Sequence, residues 1–261
     1  MSSAVAERFA GTQRLYGVKQ TEFLAQSHFV VVGIGGVGSW AAEALARTAV
    51  GEITLIDLDD ICISNTNRQI HALTSTVGQF KVEAMAERIS QINPDCQVNA
   101  VTSFITPNNL DELIPSQAIG IIDAIDSLKP KAALVNYCKR NKRRLITTGG
   151  AGGQIDPSKI TVDDLSRTVH DPLAAKLRNS LRREYGFPAA DKGKFSIDCV
   201  YSSEQLLYPQ PDGSVAHAKP AQNQASRLDC AGGFGASMMV TASFGLIATA
   251  HLVNKVLKAH C

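Results

Sequence analysis

His28-Phe29-Val30-Val31-Val32-Gly33-Ile34-Gly35-Gly36-Val37-Gly38 is the stretch that decides the fold. Its short apolar run predicts a buried parallel strand, and its glycines predict a tight turn into a helix. Val37, Trp40, Ala41, Ala44 and Leu45 recur at helical spacing up to a stop near Gly51. Ile53-Thr54-Leu55-Ile56 then reads as a second strand with Asp57 at its carboxyl end. Strand, glycine turn, helix, strand and acid make a mononucleotide-binding βαβ unit, in which free N–H groups at the helix start hold a phosphate.

The alternation continues outward. Helices are predicted over 78–91, 108–113 and 130–141, and strands over 97–104, 119–124 and 145–148, where Leu145-Ile146-Thr147-Thr148 runs into Gly149-Gly150. The expected fold is α/β: a doubly wound, Rossmann-like, mainly parallel sheet with a C-terminal extension and a buried C-terminal helix. One domain is expected over 1–261, with an ATP-binding part at 20–153, a looser substrate-specific part at 154–230 and the C-terminal helix at 231–261. Within the looser part, Asp171-Pro172 predicts the start of a helix and Gly186 its stop, while 208–224, rich in Pro, Gln, Asn and Ala, reads as a mobile loop.

Bulk composition narrows the classes. With 26 Lys and Arg against 24 Asp and Glu, the 261-residue chain is nearly neutral, so a polyanionic partner would have to use a local patch. The six cysteines stand singly, without a C-x-x-C pair, which argues against a structural zinc. The amino-terminal residues lack an apolar signal core, so a cytoplasmic location with reduced thiols is expected. Residues 231–253 carry no Asp, Glu, Lys or Arg and could span a bilayer by length. Their glycines, hydroxyl side chains and His251 favour a core or dimer-interface helix, with membrane association as the alternative.

The glycines and Asp57, a ribose ligand in either case, suit a nicotinamide dinucleotide as well as ATP. Asn65, Arg68 and Lys81 separate the two readings. Each can contact phosphate oxygens, and a guanidinium with an ammonium would offset the charge that builds when a phosphoanhydride is cleaved. Taken singly, Arg68 and Lys81 could be solvated surface charges. Asp126 follows a strand at the carboxyl edge of the sheet, where it could hold the Mg²⁺ that bridges ATP phosphates. Asp123 reads instead as a cap of the following turn.

Five pieces together resemble the ubiquitin-activating-enzyme-like adenylyltransferases, which include the molybdopterin- and thiamine-pathway enzymes. They are G-x-G-G-x-G at Gly33–Gly38, L-I-D-L-D ending at Asp59, S-N-x-x-R-Q at Ser64–Gln69, G-Q-x-K at Gly78–Lys81 and D-x-x-D at Asp123–Asp126. The resemblance implies an ATP site made by Gly33, Gly35, Gly36, Gly38, Asp57, Asp59, Asn65, Arg68 and Lys81. It implies catalytic roles for Arg68, Lys81 and Asp126, the last also holding magnesium. It further implies a homodimer in which an arginine of one amino-terminal segment reaches the ATP of the other subunit. Arg14 is the best match to that arginine, Arg8 the second.

Departures point to a branch. The paired zinc cysteines of the sulfur-carrier adenylyltransferases are missing, and Ser127 stands where Asn is usual. Asp198-Cys199-Val200-Tyr201-Ser202, Tyr208-Pro209-Gln210 and Asp229-Cys230-Ala231-Gly232-Gly233-Phe234-Gly235 look like the tRNA threonylcarbamoyladenosine dehydratase branch. That resemblance implies ATP-dependent activation of the threonyl carboxylate beside the tRNA anticodon, followed by ring closure with net loss of water. Two rivals stay open: activation of the carboxyl terminus of a sulfur-carrier protein, and a non-enzymatic, nucleotide-switched scaffold for sulfur-transfer proteins, with a cysteine desulfurase system as partner. A monovalent cation site also stays open.

A tRNA substrate predicts a basic surface. Lys129, Lys131, Lys139, Arg140, Lys142, Arg143 and Arg144 form one acid-free run, and Lys176, Arg178, Arg182 and Arg183 crowd the helix after Pro172, whose Leu173, Leu177 and Leu181 should face the core. Both are expected on the ligand side of the sheet, against the alternative of two solvated helix faces. Cys230, before a helix start, is a candidate reactive thiol or a small buried hydrophobe, and Cys199 a weaker candidate.

Overall fold

The structure, a computed structural model, describes residues 3–190, 192–219 and 234–260. Three short helices, α1 (Ser3–Arg8), α2 (Ala10–Tyr16) and α3 (Val18–Ala25), lead into β1 (His28–Val32). Then follow α4 (Gly38–Arg47), β2 (Glu52–Ile56), α5 (Lys81–Ile92), β3 (Gln97–Val101), α6 (Leu110–Leu113), β4 (Gly120–Asp123), α7 (Leu128–Arg140) and β5 (Leu145–Thr148). The second half adds β6 (Ile160–Asp164), α8 (Pro172–Tyr185), β7 (Asp198–Ser202), the pair β8 (Tyr208–Pro209) and β9 (Val215–Ala216), and α9 (Met238–His260).

Seven strands form one sheet in the order β3-β2-β1-β4-β5-β7-β6, parallel throughout except for the antiparallel β6–β7 pair. The order reverses between β1 and β4, and such a switch point opens a crevice at the carboxyl ends of the strands. Alternation along β1 divides the core. Phe29 and Val31 face α4 and α9, with Ile53, Leu55, Ile122 and Ile146, whereas Val30 and Val32 face α7 and α8, with Ile121, Leu134 and Leu177. Burial on both faces is why the strands read as continuous apolar runs.

Element ends depart from expectation where turns compete with periodicity. The helix expected from 78 begins at Lys81, because Gly78 sits at φ 88° and Phe80 bridges Asp60 in extended backbone. The strand expected to 104 ends at Val101, where pairing with Ile56 runs out. The stretch from 208 contains a small hairpin, β8 against β9. Helix α8 matches its signals: the Asp171 carboxylate accepts the Ala174 N–H at 2.9 Å, Pro172 opens the helix, and Gly186 closes it at φ 70°. Leu177 and Leu181 are buried, but Leu173 is only half-buried, beside the Gly149-Gly150 turn.

Helix α9 is apolar enough to cross a membrane by length and composition. Eleven of its 23 residues are buried, chiefly against α4 and the sheet. At Gly245 a Cβ would collide with the carbonyl of Val37 and lie 2.9 Å from the Ala41 nitrogen, so the two helices cross at backbone contact. The Thr249 hydroxyl adds a bond to the Ala41 carbonyl at 3.3 Å.

Candidate active site at the sheet switch point

The glycines divide the work of the turn. A Cβ on Gly33 would lie 2.8 Å from the Ala124 carbonyl oxygen, and one on Gly38 would strike the Gly33 carbonyl, so these two allow turn, helix and β4 loop to pack together. Gly35 has nothing nearer than Gln69 Nε2 at 3.9 Å, and Gly36 lies under the Arg68 side chain at 3.3 Å. Gly35 thus leaves open space beside the N–H groups that begin α4, where a phosphate could sit, and Gly36 lets the Arg68 side chain lie close over the turn.

Asp57 ties the turn to the end of β2. One oxygen accepts the Ile34 N–H at 2.6 Å and the other the Asp59 N–H at 2.9 Å. Burial pushes its carboxyl above the usual carboxylate range, against the opposing influence of Lys81 and these two bonds. Acceptor capacity remains on both oxygens for a ribose hydroxyl.

The segment after β2 folds over the turn. A single 3-10 turn, Ile63–Asn65, is closed by the Asn65 side chain, whose oxygen accepts the Cys62 N–H at 3.0 Å, leaving the amide N–H groups as ligand donors. Arg68 spends Nη1 on the Ser64 carbonyl and the Asn67 side chain, both at 2.9 Å, while Trp40 of α4 holds the Arg68 carbonyl at 3.0 Å. Asn67 in turn donates to the Ala236 carbonyl, just before α9, at 3.0 Å, so the C-terminal helix is tied to the same segment. Gln69, buried beside Gly35, keeps an oxygen without a partner, and His71 is held neutral, its pKa pushed down to about 4 by burial and by Lys81. Lys81, the first residue of α5, places Nζ 2.7 Å from Asp59, with the lysine side chain 9% exposed and the aspartate 53%. Its acid is therefore at the open mouth and the cation inside.

Asp126 is exposed on the loop between β4 and α7, at the same edge. No group of three His, Cys, Asp or Glu could hold a metal by itself among the described residues. A lone carboxylate suits Mg²⁺, which commonly keeps several waters and binds through one or two carboxylates plus substrate phosphates. Asp123 is the turn cap expected: one oxygen accepts the Ile125 N–H at 3.1 Å, and the other accepts the Thr147 hydroxyl at 2.6 Å.

Lys131 is the residue the sequence misassigned. It is fully buried, as is Asp123, with Nζ 3.0 Å from the Asp123 carboxylate and 2.9 Å from the Ile125 carbonyl. It holds the loop that carries Asp126. Two other basic expectations also change. Lys139 to Arg144 lie at the amino edge, because α7 carries the chain from the end of β4 back to the start of β5, and Arg143 there holds the carbonyls of Pro115 and Ala118 at 2.7 Å each. On α8, Arg182 lies over Phe195 and donates to the Pro188 carbonyl, and Arg183 pairs with Glu184.

Arg14 is exposed on α2, a helix without buried residues. Arg8 reaches the Gln91 carbonyl near the end of α5, at 3.5 Å. Neither is brought to the cleft within this chain. Cys199 is a buried thiol, pushed far above its ordinary range by burial, and behaves as a core residue. Cys230 lies outside the described residues.

Known proteins resemble this chain in sequence and in overall structure. The chain is 56% identical over 257 residues, 98% of its length and 96% of the relative's, to the tRNA threonylcarbamoyladenosine dehydratase of Escherichia coli strain K12. Among solved structures, it is similar to the E. coli tRNA N6-threonylcarbamoyladenosine dehydratase in complex with ATP, at TM-score 0.89 and 52% identity, covering 99% of this chain and 97% of that one. The same enzyme in complex with AMP gives TM-score 0.89 and 53% identity over 99% and 98%. The profile of the ThiF family matches residues 9–259. On this match, and on the glycine turn, Asp57 and the Arg68 and Lys81 pair it spans, the chain belongs to the ThiF family.

Proposed function

We propose that the protein uses ATP to activate the threonyl carboxylate of threonylcarbamoyladenosine in tRNA, whose side chain then cyclises with net loss of water. The names of relatives alike over nearly the full length support this reading, as do the ATP and AMP complexes of one of them. The observation that carries it is the Lys81–Asp59 pair, a buried ammonium whose partner is exposed at the cleft mouth.

In the proposed reaction a carboxylate oxygen displaces pyrophosphate from the α-phosphorus, and an internal nucleophile of the same side chain then attacks the activated carbonyl, releasing AMP and a proton. No enzyme nucleophile is required, since an intramolecular attacker has a high effective molarity. The protein's part is positioning and charge. The turn N–H groups and Asn65 hold phosphate oxygens, Asp57 the ribose, and Arg68 and Lys81 offset the charge on departing pyrophosphate. Asp126 would hold Mg²⁺, which neutralises phosphate charge when bound. Activation by a ligase-type step and a homodimer in which Arg14 crosses to the partner's ATP belong to the same proposal.

The test is product analysis. Incubation with ATP, Mg²⁺ and total tRNA, followed by digestion to nucleosides and mass spectrometry, is expected to show threonylcarbamoyladenosine lighter by one water. Unchanged nucleoside, with ATP-dependent activation of a sulfur-carrier carboxyl terminus instead, would overturn it.

A further inference from the structure

A second cavity opens on the same edge of the sheet, beyond β5. It encloses about 350 Å³ between the start of α8 and the β8–β9 hairpin, within the range of about 300–1,000 Å³ typical of small-ligand pockets. Arg178, Lys219, His170, His217 and Tyr208 line it, with Asp171 as its acid. Both Asp171 oxygens are committed, one to the Gly150 N–H at 3.0 Å and one to the Ala174 N–H at 2.9 Å. Glu204 nearby is likewise spent on the N–H groups of Ile155 and Asp156. Arg178 and Lys219 thus face a single lining carboxylate, already engaged by backbone N–H groups, and the lining carries a net positive charge.

Their arrangement is specific. Lys219 Nζ lies 5.9 Å from the centroid of the Tyr208 ring, and that ring rests against Phe234 at 5.2 Å. Arg178, half-buried on α8, is steadied by the Thr168 hydroxyl. His217 is fixed by the Leu206 carbonyl at 3.1 Å. An aromatic face beside two cations is the chemistry that takes one unstacked nucleotide, base on ring and phosphate on cation. Position agrees with this. The cavity borders the ends of β5 and β7, one and two strands from β4, or about 10 Å from the switch point at about 4.8 Å per strand. That separation suits a residue adjoining the one being modified.

We propose that this cavity is the subsite for the nucleotide flanking the modified adenosine, with its phosphate between Arg178 and Lys219 and its base against Tyr208. The proposal rests on the tRNA reading above. It assigns anchoring of the RNA to α8 and the hairpin, and leaves the switch-point cleft to ATP and the reacting carboxylate.

The experiment is fluorescence titration of a labelled anticodon stem-loop RNA bearing threonylcarbamoyladenosine into the full chain and into Lys219→Ala, Tyr208→Ala and Tyr208→Phe, with ATP affinity measured in parallel. Lys219→Ala and Tyr208→Ala are expected to weaken RNA binding by about tenfold, and Lys219→Ala to reduce the slope of log affinity against log salt by about one. Tyr208→Phe, which keeps the ring, should stay within about twofold, and ATP affinity should not move in any variant. Equal RNA affinity and salt slope in all four proteins, with wild type forming product, would overturn the subsite alone. No RNA binding by the wild-type chain would overturn the tRNA reading and the subsite together. Lys219 is exposed, so its variant keeps the test valid should Tyr208→Ala fail to fold.

Discussion

The two halves of the sheet edge each place a lysine from the first turn of a helix against an aspartate at or just beyond the preceding strand, and they differ in exposure. On the β2 side, Lys81 is 9% exposed and Asp59 53%; on the β4 side, Lys131 and Asp123 are both at 0%. An ion pair with one partner in water can exchange that partner for a phosphate at little cost. A pair sealed on both sides cannot, because removing either member leaves a bare charge in the interior. The comparison separates a lysine free to act on a ligand from one that holds a loop, although in sequence both follow an aspartate into a helix.

The largest effect should come from the sealed pair. Lys131→Met leaves Asp123 buried without its cation and should cost about 3–5 kcal/mol of stability, read as a lower denaturant midpoint, with Lys131→Met/Asp123→Leu recovering part of it. If Lys131→Met unfolds like wild type, the two pairs are not different in kind. Next, Lys81→Ala should lower the rate of ATP consumption by about 10²–10³-fold, the effect typical of removing one donor to developing charge, while the denaturant midpoint moves less than in Lys131→Met. A rate within twofold of wild type would put Lys81 among the merely structural lysines.

The smallest effect is set by pH. His71 beside Lys81 has its pKa lowered from 6.5 to about 4 by burial first and by the Lys81 charge next. Between these values the unfolded chain binds the extra proton, so stability is full above pH 6.5 and falls as pH drops toward 4, by up to about 3 kcal/mol. Urea midpoints at pH 7 and pH 4.5 should show the loss, and His71→Leu should reduce it. His28, lowered by burial too, leaves a residual slope. An unaltered slope in His71→Leu would remove His71 from the account of the open half.

How far the sequence could be read follows the same division. The glycine turn, Asp57 and both ends of α8 are legible because their signals are local: a positive φ, a cap, a proline at a helix start. Lys131 was not, since its burial depends on a partner eight residues back and on two carbonyls that only the folded loop brings to it. The neighbouring Ala132-Ala133-Leu134-Val135 was the available sign that this face of α7 turns inward. Lys139 to Arg144 misled for a related reason. Adjacent in sequence to the site loop, they are carried by one helix to the far edge of the sheet. The nucleotide cleft was readable as backbone, whereas the cavity by Arg178 and Tyr208 needs α8 and the hairpin docked together.

The crossing at Gly245 has a bearing on the order in which the protein becomes competent. Val37, whose carbonyl meets Gly245, belongs to the glycine turn, and Ala236, just ahead of α9, anchors the segment that carries Arg68. The turn leaves the ribosome some two hundred residues before the helix that clamps it. That helix braces α4 on the side that α5 and the sheet leave open, and the residue just ahead of it holds Asn67 from the front. ATP capture is thus expected to rest on the last helix made: a chain ending before α9 should hold ATP more weakly than the full chain, which ATP titration of both would check.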